Sequence, residues 1–287
     1  MNGKTLVLNL DDSGGGLPGS MEIDLSEWQE AIRFGCSWRV WRDFRASLEP
    51  GLPKEHGFVL LGSGDFHHVS FMLIERQRAR EGLHVLVCDN HPDNMRFPFG
   101  IHCGSWVSHV ADLPHVARID VVGIHSPDVG WRRAWENRLG PLYRGRLRYW
   151  TIGAKTGWLR ALGLRDAARN FGDAKSLVSA LRRELSATDA PLYLSIDKDV
   201  LHERVARTNW DQGSFTLDDL LGVVAAARPR LVGGDITGEV SVYRYRARWK
   251  RLLSALDAQP AIAPDDLILW RRQQLEVNRA LLEAIVA

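Results

Sequence analysis

Two aspartates and a histidine stand at alternate positions after an apolar run of the sequence. The run covers residues 84–88, and Asp89, His91 and Asp93 follow it directly. Side chains of these types after a buried strand have two interpretations: they close a polar turn and cap the next helix, or they hold a metal ion. The spacing alone leaves both interpretations open.

A second pair of acids has the same spacing elsewhere in the chain. Asp197 and Asp199 follow the run 192–196, and in an extended chain they share one face, about 7 Å apart. Two neighbouring carboxylates repel each other unless a cation lies between them. Sites rich in carboxylate with some imidazole suit divalent ions such as manganese, and two ions together can activate a water molecule for hydrolysis. The two clusters therefore predict a paired-metal hydrolytic site.

Acids and histidines also follow two further apolar runs. Ligands of open parallel sheets gather outside the carboxyl ends of the strands, so the residues just after a strand are the candidates for chemistry. After the runs 57–61 and 230–232 these residues are Asp65, His67, His68, Asp235 and Glu239. Four strand ends thus carry candidate ligands.

The runs that would position these residues are apolar almost throughout, as a parallel sheet covered on both faces requires. They predict strands over 5–10, 57–61, 84–88, 119–124, 148–152, 192–196 and 230–232. Apolar residues at spacings of three and four predict helices over 67–81, 174–188, 216–227 and 264–285. The alternation predicts a single layered α/β domain spanning residues 1–287.

Composition excludes several functional classes. The chain has 37 Lys and Arg against 35 Asp and Glu, and a net charge of +2 argues against binding to nucleic acid or to a membrane surface. Three cysteines without a paired spacing argue against a disulfide framework. The apolar run near the N-terminus is too short for a signal peptide, and no segment reaches the roughly 20 apolar residues of a membrane helix. We therefore expect a cytoplasmic protein that acts on a small molecule.

At this point the sequence resembles the manganese-dependent ureohydrolases, the family of arginase and agmatinase, over most of its length and in the same order. The DAHxD motif of that family is similar to residues 89–93, its SxDxD motif to residues 195–199, and its Gly-Gly-Asp-His element to residues 63–67. The resemblance implies a three-layer α/β/α fold with a mainly parallel central sheet. It also implies two Mn²⁺ ions held by His67, Asp89, His91, Asp93, Asp197 and Asp199. One extra residue before His67 leaves His68 as an alternative ligand.

The resemblance also implies roles for two residues outside the ligand set. His102, in Gly100-Ile101-His102-Cys103-Gly104, is similar to the family histidine that transfers a proton to the leaving amine. Glu239, in a D-I-x-x-E setting one residue longer than the family's, corresponds to the glutamate that grips the guanidinium. The segment 94–99 is bulkier than its family counterpart, so free arginine is not the expected substrate.

The implied function is hydrolysis of a C–N bond in a guanidino or amidine compound by a metal-bridging hydroxide, in an enzyme that forms homo-oligomers. Two alternatives stay open from the sequence. A zinc-dependent deacetylase-like amidohydrolase would use the same fold with one ion, and a non-catalytic relative would bind metal without turnover. Release of urea, as opposed to acetate, separates the implied function from the deacetylase-like alternative.

Overall fold

The computed structural model describes residues 3–256 and 262–287. The predicted domain span of 1–287 also includes residues 1–2 and 257–261, which lie outside the described residues. The strands are β1 (Leu6–Asn9), β2 (Met21–Asp24), β3 (Gly35–Ser37), β4 (Val59–Leu60), β5 (Leu83–Cys88), β6 (Gly100–His102), β7 (Val116–Ile124), β8 (Leu147–Ile152), β9 (Ala168–Phe171), β10 (Leu192–Asp197) and β11 (Leu231–Thr237).

Within the described residues, nine strands form one parallel sheet in the order β2-β1-β4-β11-β10-β5-β7-β8-β9. The two remaining strands, β3 and β6, form a small antiparallel ladder outside it. The four strands at positions three to six of the order, β4, β11, β10 and β5, are neighbours. Their carboxyl ends therefore meet at one edge of the sheet, which is where the sequence places its acids and histidines.

Helices cover both faces of the sheet. They are α1 (Gln29–Ile32), α2 (Trp38–Leu48), α3 (Val69–Glu75), α4 (Trp106–Val110), α5 (Gly140–Tyr143), α6 (Trp158–Ala161), α7 (Ala174–Leu185), α8 (Leu217–Ala227), α9 (Arg248–Leu256) and α10 (Pro264–Val286). None of the helices in the described part of the chain is both long and apolar enough to cross a bilayer.

Alternate residues of each strand pack into two separate apolar cores, as the two-residue period of a strand requires. In β1, Leu6 and Leu8 join the core formed with α2, α3 and α4, whereas Val7 joins the core formed with α7, α8 and α10. The fold is therefore a three-layer α/β/α arrangement, as predicted.

All seven predicted strands and all four predicted helices are present. The differences from the prediction lie at the ends of individual elements and in short strands that were not predicted. The helix predicted over 67–81 is shorter, because residues 64–66 form a 3₁₀ turn that carries the chain into α3, and α3 ends at Glu75. The C-terminal helix begins at Pro264, as predicted, and ends at Val286, one residue beyond its predicted end.

Candidate metal centre

Two groups of ligand atoms lie at the carboxyl ends of β4, β5 and β10. In the first group, His67 Nδ1 is 3.2 Å from Asp89 Oδ2, 3.1 Å from Asp93 Oδ2 and 3.4 Å from Asp197 Oδ2. In the second, His91 Nδ1 is 2.9 Å from Asp199 Oδ2 and 3.6 Å from Asp89 Oδ1. Asp89 thus presents one oxygen to each group, as a residue shared by two ions would.

The orientation of His67 is fixed from behind by a chain of hydrogen bonds. Its Nε2 lies 2.9 Å from Ser195 Oγ, and that hydroxyl donates to Asp235 Oδ1 at 2.7 Å. Because the hydroxyl proton goes to Asp235, the serine oxygen accepts from His67 Nε2–H. When the ring is neutral, the tautomer that results leaves Nδ1 free of a proton and able to coordinate a metal.

Asp93 is held in an unusual backbone conformation. Its φ of +44° lies in the left-handed region, which non-glycine residues occupy at a cost and mostly at functional positions. The indole Nε1–H of Trp106 donates to Asp93 Oδ2 at 2.6 Å and aims that oxygen at His67. The close approach of His67 to β10 also requires a glycine, because a Cβ on Gly64 would lie 3.0 Å from Asp197 Oδ2.

The buried charges perturb one another strongly. Burial, and then the nearby charge of Asp89, raise the pKa of Asp93 to about 7, and burial raises the pKa of Asp197 to about 6. Burial also raises the pKa of Asp199 well above its usual value. Burial alone would lower the pKa of His67, but the carboxylates of Asp89 and Asp93 outweigh it and raise that pKa. Four carboxylates so close together need either protons or cations to offset their repulsion.

The donor set fits a pair of divalent ions. His67 Nδ1 and Asp89 Oδ2 are buried and have no hydrogen-bond partner in the described residues, although carboxylate oxygens lie nearby. Buried polar atoms without a partner are costly unless something coordinates them. Oxygen and imidazole ligands in this number suit hard or borderline ions such as Mn²⁺.

The structure places the two candidate histidines differently. His67 belongs to the first ligand group, whereas His68 lies under the ring of Trp41, with ring centroids 5.7 Å apart, and belongs to neither group. Asp65 is likewise turned away, because its Oδ2 accepts from Arg33 Nε at 2.7 Å. The structure thus brings together all six residues of the ligand set that the resemblance implies.

His102 lines the same cavity as the ligand residues. Its Nδ1 accepts from the Gly104 N–H at 2.7 Å, so the neutral ring carries its proton on Nε2. A glycine is required opposite it on β3, because a Cβ on Gly35 would lie 2.7 Å from His102 Cβ. The ring can therefore present a neutral N–H donor to the cavity.

Glu239 occupies a position that does not suit the substrate-binding role implied by the resemblance. Its carboxylate is buried, forms an ion pair with Lys198 Nζ and accepts from Asn278 Nδ2 at 2.7 Å. It is not among the residues that line the cavity. Glu239 is held away from the cavity by Lys198, whose side chain points away from Asp197 and Asp199. The buried ammonium group of Lys198 needs a counter-charge, and Glu239 supplies it.

Asp211 is a residue that contacts the ligand set and that sequence reasoning missed. Asp211 lies in the loop between β10 and α8, and its Oδ1 is 2.8 Å from His91 Nε2. A carboxylate on the outer ring nitrogen of a metal-binding histidine fixes its tautomer. No sequence signal marks Asp211, because it follows no strand and its distance from His91 in the chain has no fixed spacing.

The architecture is the fold of arginase. The chain is similar to arginase from Bacillus subtilis (13% identity, TM-score 0.56, 98% of each chain covered) and to proclavaminate amidino hydrolase from Streptomyces clavuligerus (14% identity, TM-score 0.55, 99% of this chain and 93% of that one). Agmatine ureohydrolase of Thermoplasma volcanium gives 13% identity and a TM-score of 0.52, covering 96% and 92% of the two chains. At these identities the likeness establishes the fold, and the predicted fold is confirmed.

Sequence comparison adds one relative. An uncharacterized protein of Thermotoga maritima is 26% identical over 253 residues, which cover 88% of this chain and 77% of that protein. No family model matches the sequence.

A prediction about acid stability follows from His102. Burial lowers its pKa to about 4, whereas an unfolded histidine titrates near 6.5. The unfolded chain therefore takes up a proton first, so the stability that the neutral ring contributes is complete above about pH 6.5 and is lost as the pH falls toward 4. Urea unfolding of the metal-free protein at pH 7, 5.5 and 4.5 should show that the free energy of unfolding falls more steeply with decreasing pH for the wild type than for His102→Asn. Equal slopes would contradict the assignment.

Proposed function

We propose that the protein is a binuclear metal-dependent hydrolase that cleaves a C–N bond of a guanidino or amidine compound. The observation that carries the proposal is the pair of ligand groups that share Asp89 at the carboxyl ends of β4, β5 and β10. For a guanidino substrate the balanced reaction takes up one water and releases urea and the substituent as an amine. Breaking that C–N bond requires a nucleophile at the guanidinium carbon and a proton for the leaving nitrogen.

The residues that would hold the metals are His67, Asp89, His91, Asp93, Asp197 and Asp199, and Mn²⁺ is the ion proposed. When bound, such ions supply Lewis-acid chemistry, because they acidify water and polarise the scissile group. The other contributions come from the chain itself. Trp106 and Ser195 hold ligand side chains in one orientation, and such supporting contacts typically change metal affinity by about 10–100-fold when removed.

His102 is proposed as the residue that handles the proton of the leaving amine. The hydrogen bond from the Gly104 amide fixes its tautomer, so that Nε2 holds a proton in the cavity. A positioned proton donor of this kind contributes about 10²–10⁴-fold to a rate. The low pKa of about 4 keeps the ring neutral near pH 7, so the ring must first take up a proton, such as the one that the attacking water gives up, before Nε2 can pass a proton to the leaving amine and return the ring to its neutral form.

The experiment that tests the proposal combines metal analysis with a product screen. The purified protein dialysed against Mn²⁺ should retain about two ions per chain, and a panel of guanidino compounds should release urea and amine in equal amounts. A chain that retains less than one ion, or a loaded chain that releases no urea from any member of the panel, would contradict it.

One observation favours the second candidate, a deacetylase-like amidohydrolase. Glu239 is paired with Lys198 and does not line the cavity, so no carboxylate at this position is available to a guanidinium. A neutral amide would not need one. N-acetylated amines included in the same panel separate the two functions, because they release acetate instead of urea.

A further inference from the structure

The cavity in front of the metal ligands is larger than a free amino acid needs. Its volume is about 1260 Å³, above the range of roughly 300–1,000 Å³ typical of sites for drug-sized ligands. His67, His91 and His102 line its floor together with the carboxylates, and much of the remaining lining is apolar. A small substrate such as arginine would leave most of this volume to water.

Three aromatic rings, Phe34, Phe97 and Trp210, form what we call the aromatic wall of the cavity. Phe34 stacks on Trp210 with ring centroids 6.1 Å apart and lies 5.1 Å from His102, while Phe97 lies 4.8 Å from His102. Trp210 also lies 6.1 Å from His91. The wall therefore extends from a metal ligand to the proposed proton donor, beside the place where the reaction would occur.

Phe34 is held in the wall at an energetic cost. Its φ of +69° is a left-handed conformation, which is a genuine outlier for a bulky residue. Two backbone hydrogen bonds maintain it, from the Phe34 amide to the Asp65 carbonyl at 2.9 Å and from the Cys103 amide to the Phe34 carbonyl at 3.0 Å. Backbone strain of this kind persists mainly where the residue has a function, which here is to present a ring to the cavity.

The carboxylates that the α-ammonium group of an amino acid would need are already engaged. Outside the ligand set, the described carboxylates on the cavity lining are Glu30, Asp128 and Asp211. Glu30 accepts from the Tyr243 hydroxyl and two backbone amides, and the other two form ion pairs with Arg133 and His91. No spare carboxylate among these described residues is available to bind an α-ammonium group.

The rim of the cavity continues the apolar surface to solvent. Phe99, Trp249 and Leu252 line the cavity and are exposed by 77%, 45% and 64%. Exposed apolar side chains grouped around a binding cavity indicate a ligand with an apolar part. A substituent that runs from the aromatic wall to this rim would cover them.

We propose that the cavity selects an amidine or guanidine whose nitrogen carries a bulky apolar substituent, above all an aromatic one, packed against Phe34, Phe97 and Trp210. The proposal rests on the function proposed above, because the reacting group is placed at the metal ligands. Aromatic substituents gain both buried area and edge or face contacts with such rings. Arginine and agmatine carry polar or charged ends that gain neither.

The experiment measures binding separately from turnover. Isothermal titration of the Mn²⁺-loaded protein with 2-phenylethylguanidine, agmatine and arginine should give at least about tenfold tighter binding of the phenyl compound, the discrimination that a few apolar groups provide. Equal binding, or tighter binding of agmatine or arginine, overturns the proposal. Urea release is assayed in parallel: selective binding without urea from any compound contradicts the proposed hydrolysis and leaves the apolar selectivity standing.

Variants of the wall then locate the selectivity. Trp210→Ala and Phe97→Ala should each weaken binding of 2-phenylethylguanidine about tenfold and change binding of agmatine less than about threefold, because only the first ligand contacts the rings. Phe97→Leu keeps apolar volume and should restore most of the affinity. Trp135→Ala, an exposed tryptophan outside the cavity lining, is the matched control. Equal weakening of both ligands by both alanine variants overturns the proposal.

Discussion

Asp89→Ala and Asp197→Ala should each deprive the protein of its metals and reduce urea release by at least about 10³-fold. Asp89 faces both histidines of the ligand set with separate oxygens, and Asp197 Oδ2 lies 3.4 Å from His67 Nδ1. Metal ions supply several kcal/mol of transition-state stabilisation, and each 1.36 kcal/mol is about a factor of ten in rate. Metal content after dialysis and the rate of urea release are the two measurements.

Three further variants separate loss of metal from other losses. Asp43→Ala removes an exposed acid of α2 and should change neither measurement. His102→Asn should retain the metals and lose about 10²–10⁴-fold in rate. Asp211→Asn should weaken metal binding by about 10–100-fold, because it removes the partner of His91 Nε2. Unchanged metal content in both Asp89→Ala and Asp197→Ala would refute the proposed metal centre.

The central strands could be predicted from sequence because burial on both faces leaves a continuous apolar run. β5 shows this directly, since all six of its residues are buried. β2 and β9 were missed because they are the two edges of the sheet, and none of their eight residues is fully buried. β3 and β6 were missed because three residues are too few to show a period.

The clustering of the proposed ligand residues could be predicted for a related reason, since most of them stand next to strands that are themselves recognisable. Their partners could not be predicted in this way. Trp106 reaches Asp93 from a helix, and Asp211 reaches His91 from a loop. Such contacts depend on how separate segments pack, and a single sequence carries no spacing rule for them. The same limit applies to Glu239, whose nearest cation is fixed by the packing of β10 against β11 and α10.

Removing one partner of the buried Lys198–Glu239 pair should destabilise the protein by about 3–5 kcal/mol, because it leaves the other charge without compensation. Lys198 is fully buried and also donates to Asn278 Oδ1 at 2.8 Å, while Glu239 is 2% exposed. Denaturant unfolding of Lys198→Met and of Glu239→Gln measures the two losses. The double variant should recover much of the stability, since a buried pair replaced as a whole by neutral groups is often tolerated.

An ion pair on the surface provides the control for this double-mutant cycle of Lys198 and Glu239. Glu203→Gln removes the partner of Arg207 in an exposed i, i+4 pair, and such pairs contribute only about 0–1 kcal/mol. The cycle also decides between the two roles of Glu239. If Glu239→Gln leaves stability unchanged and raises KM for a guanidino substrate, the carboxylate binds the guanidinium as the family resemblance implies. If the loss is in stability and disappears in the double variant, Glu239 is the counter-ion that allows Lys198 to stand between Asp197 and Asp199.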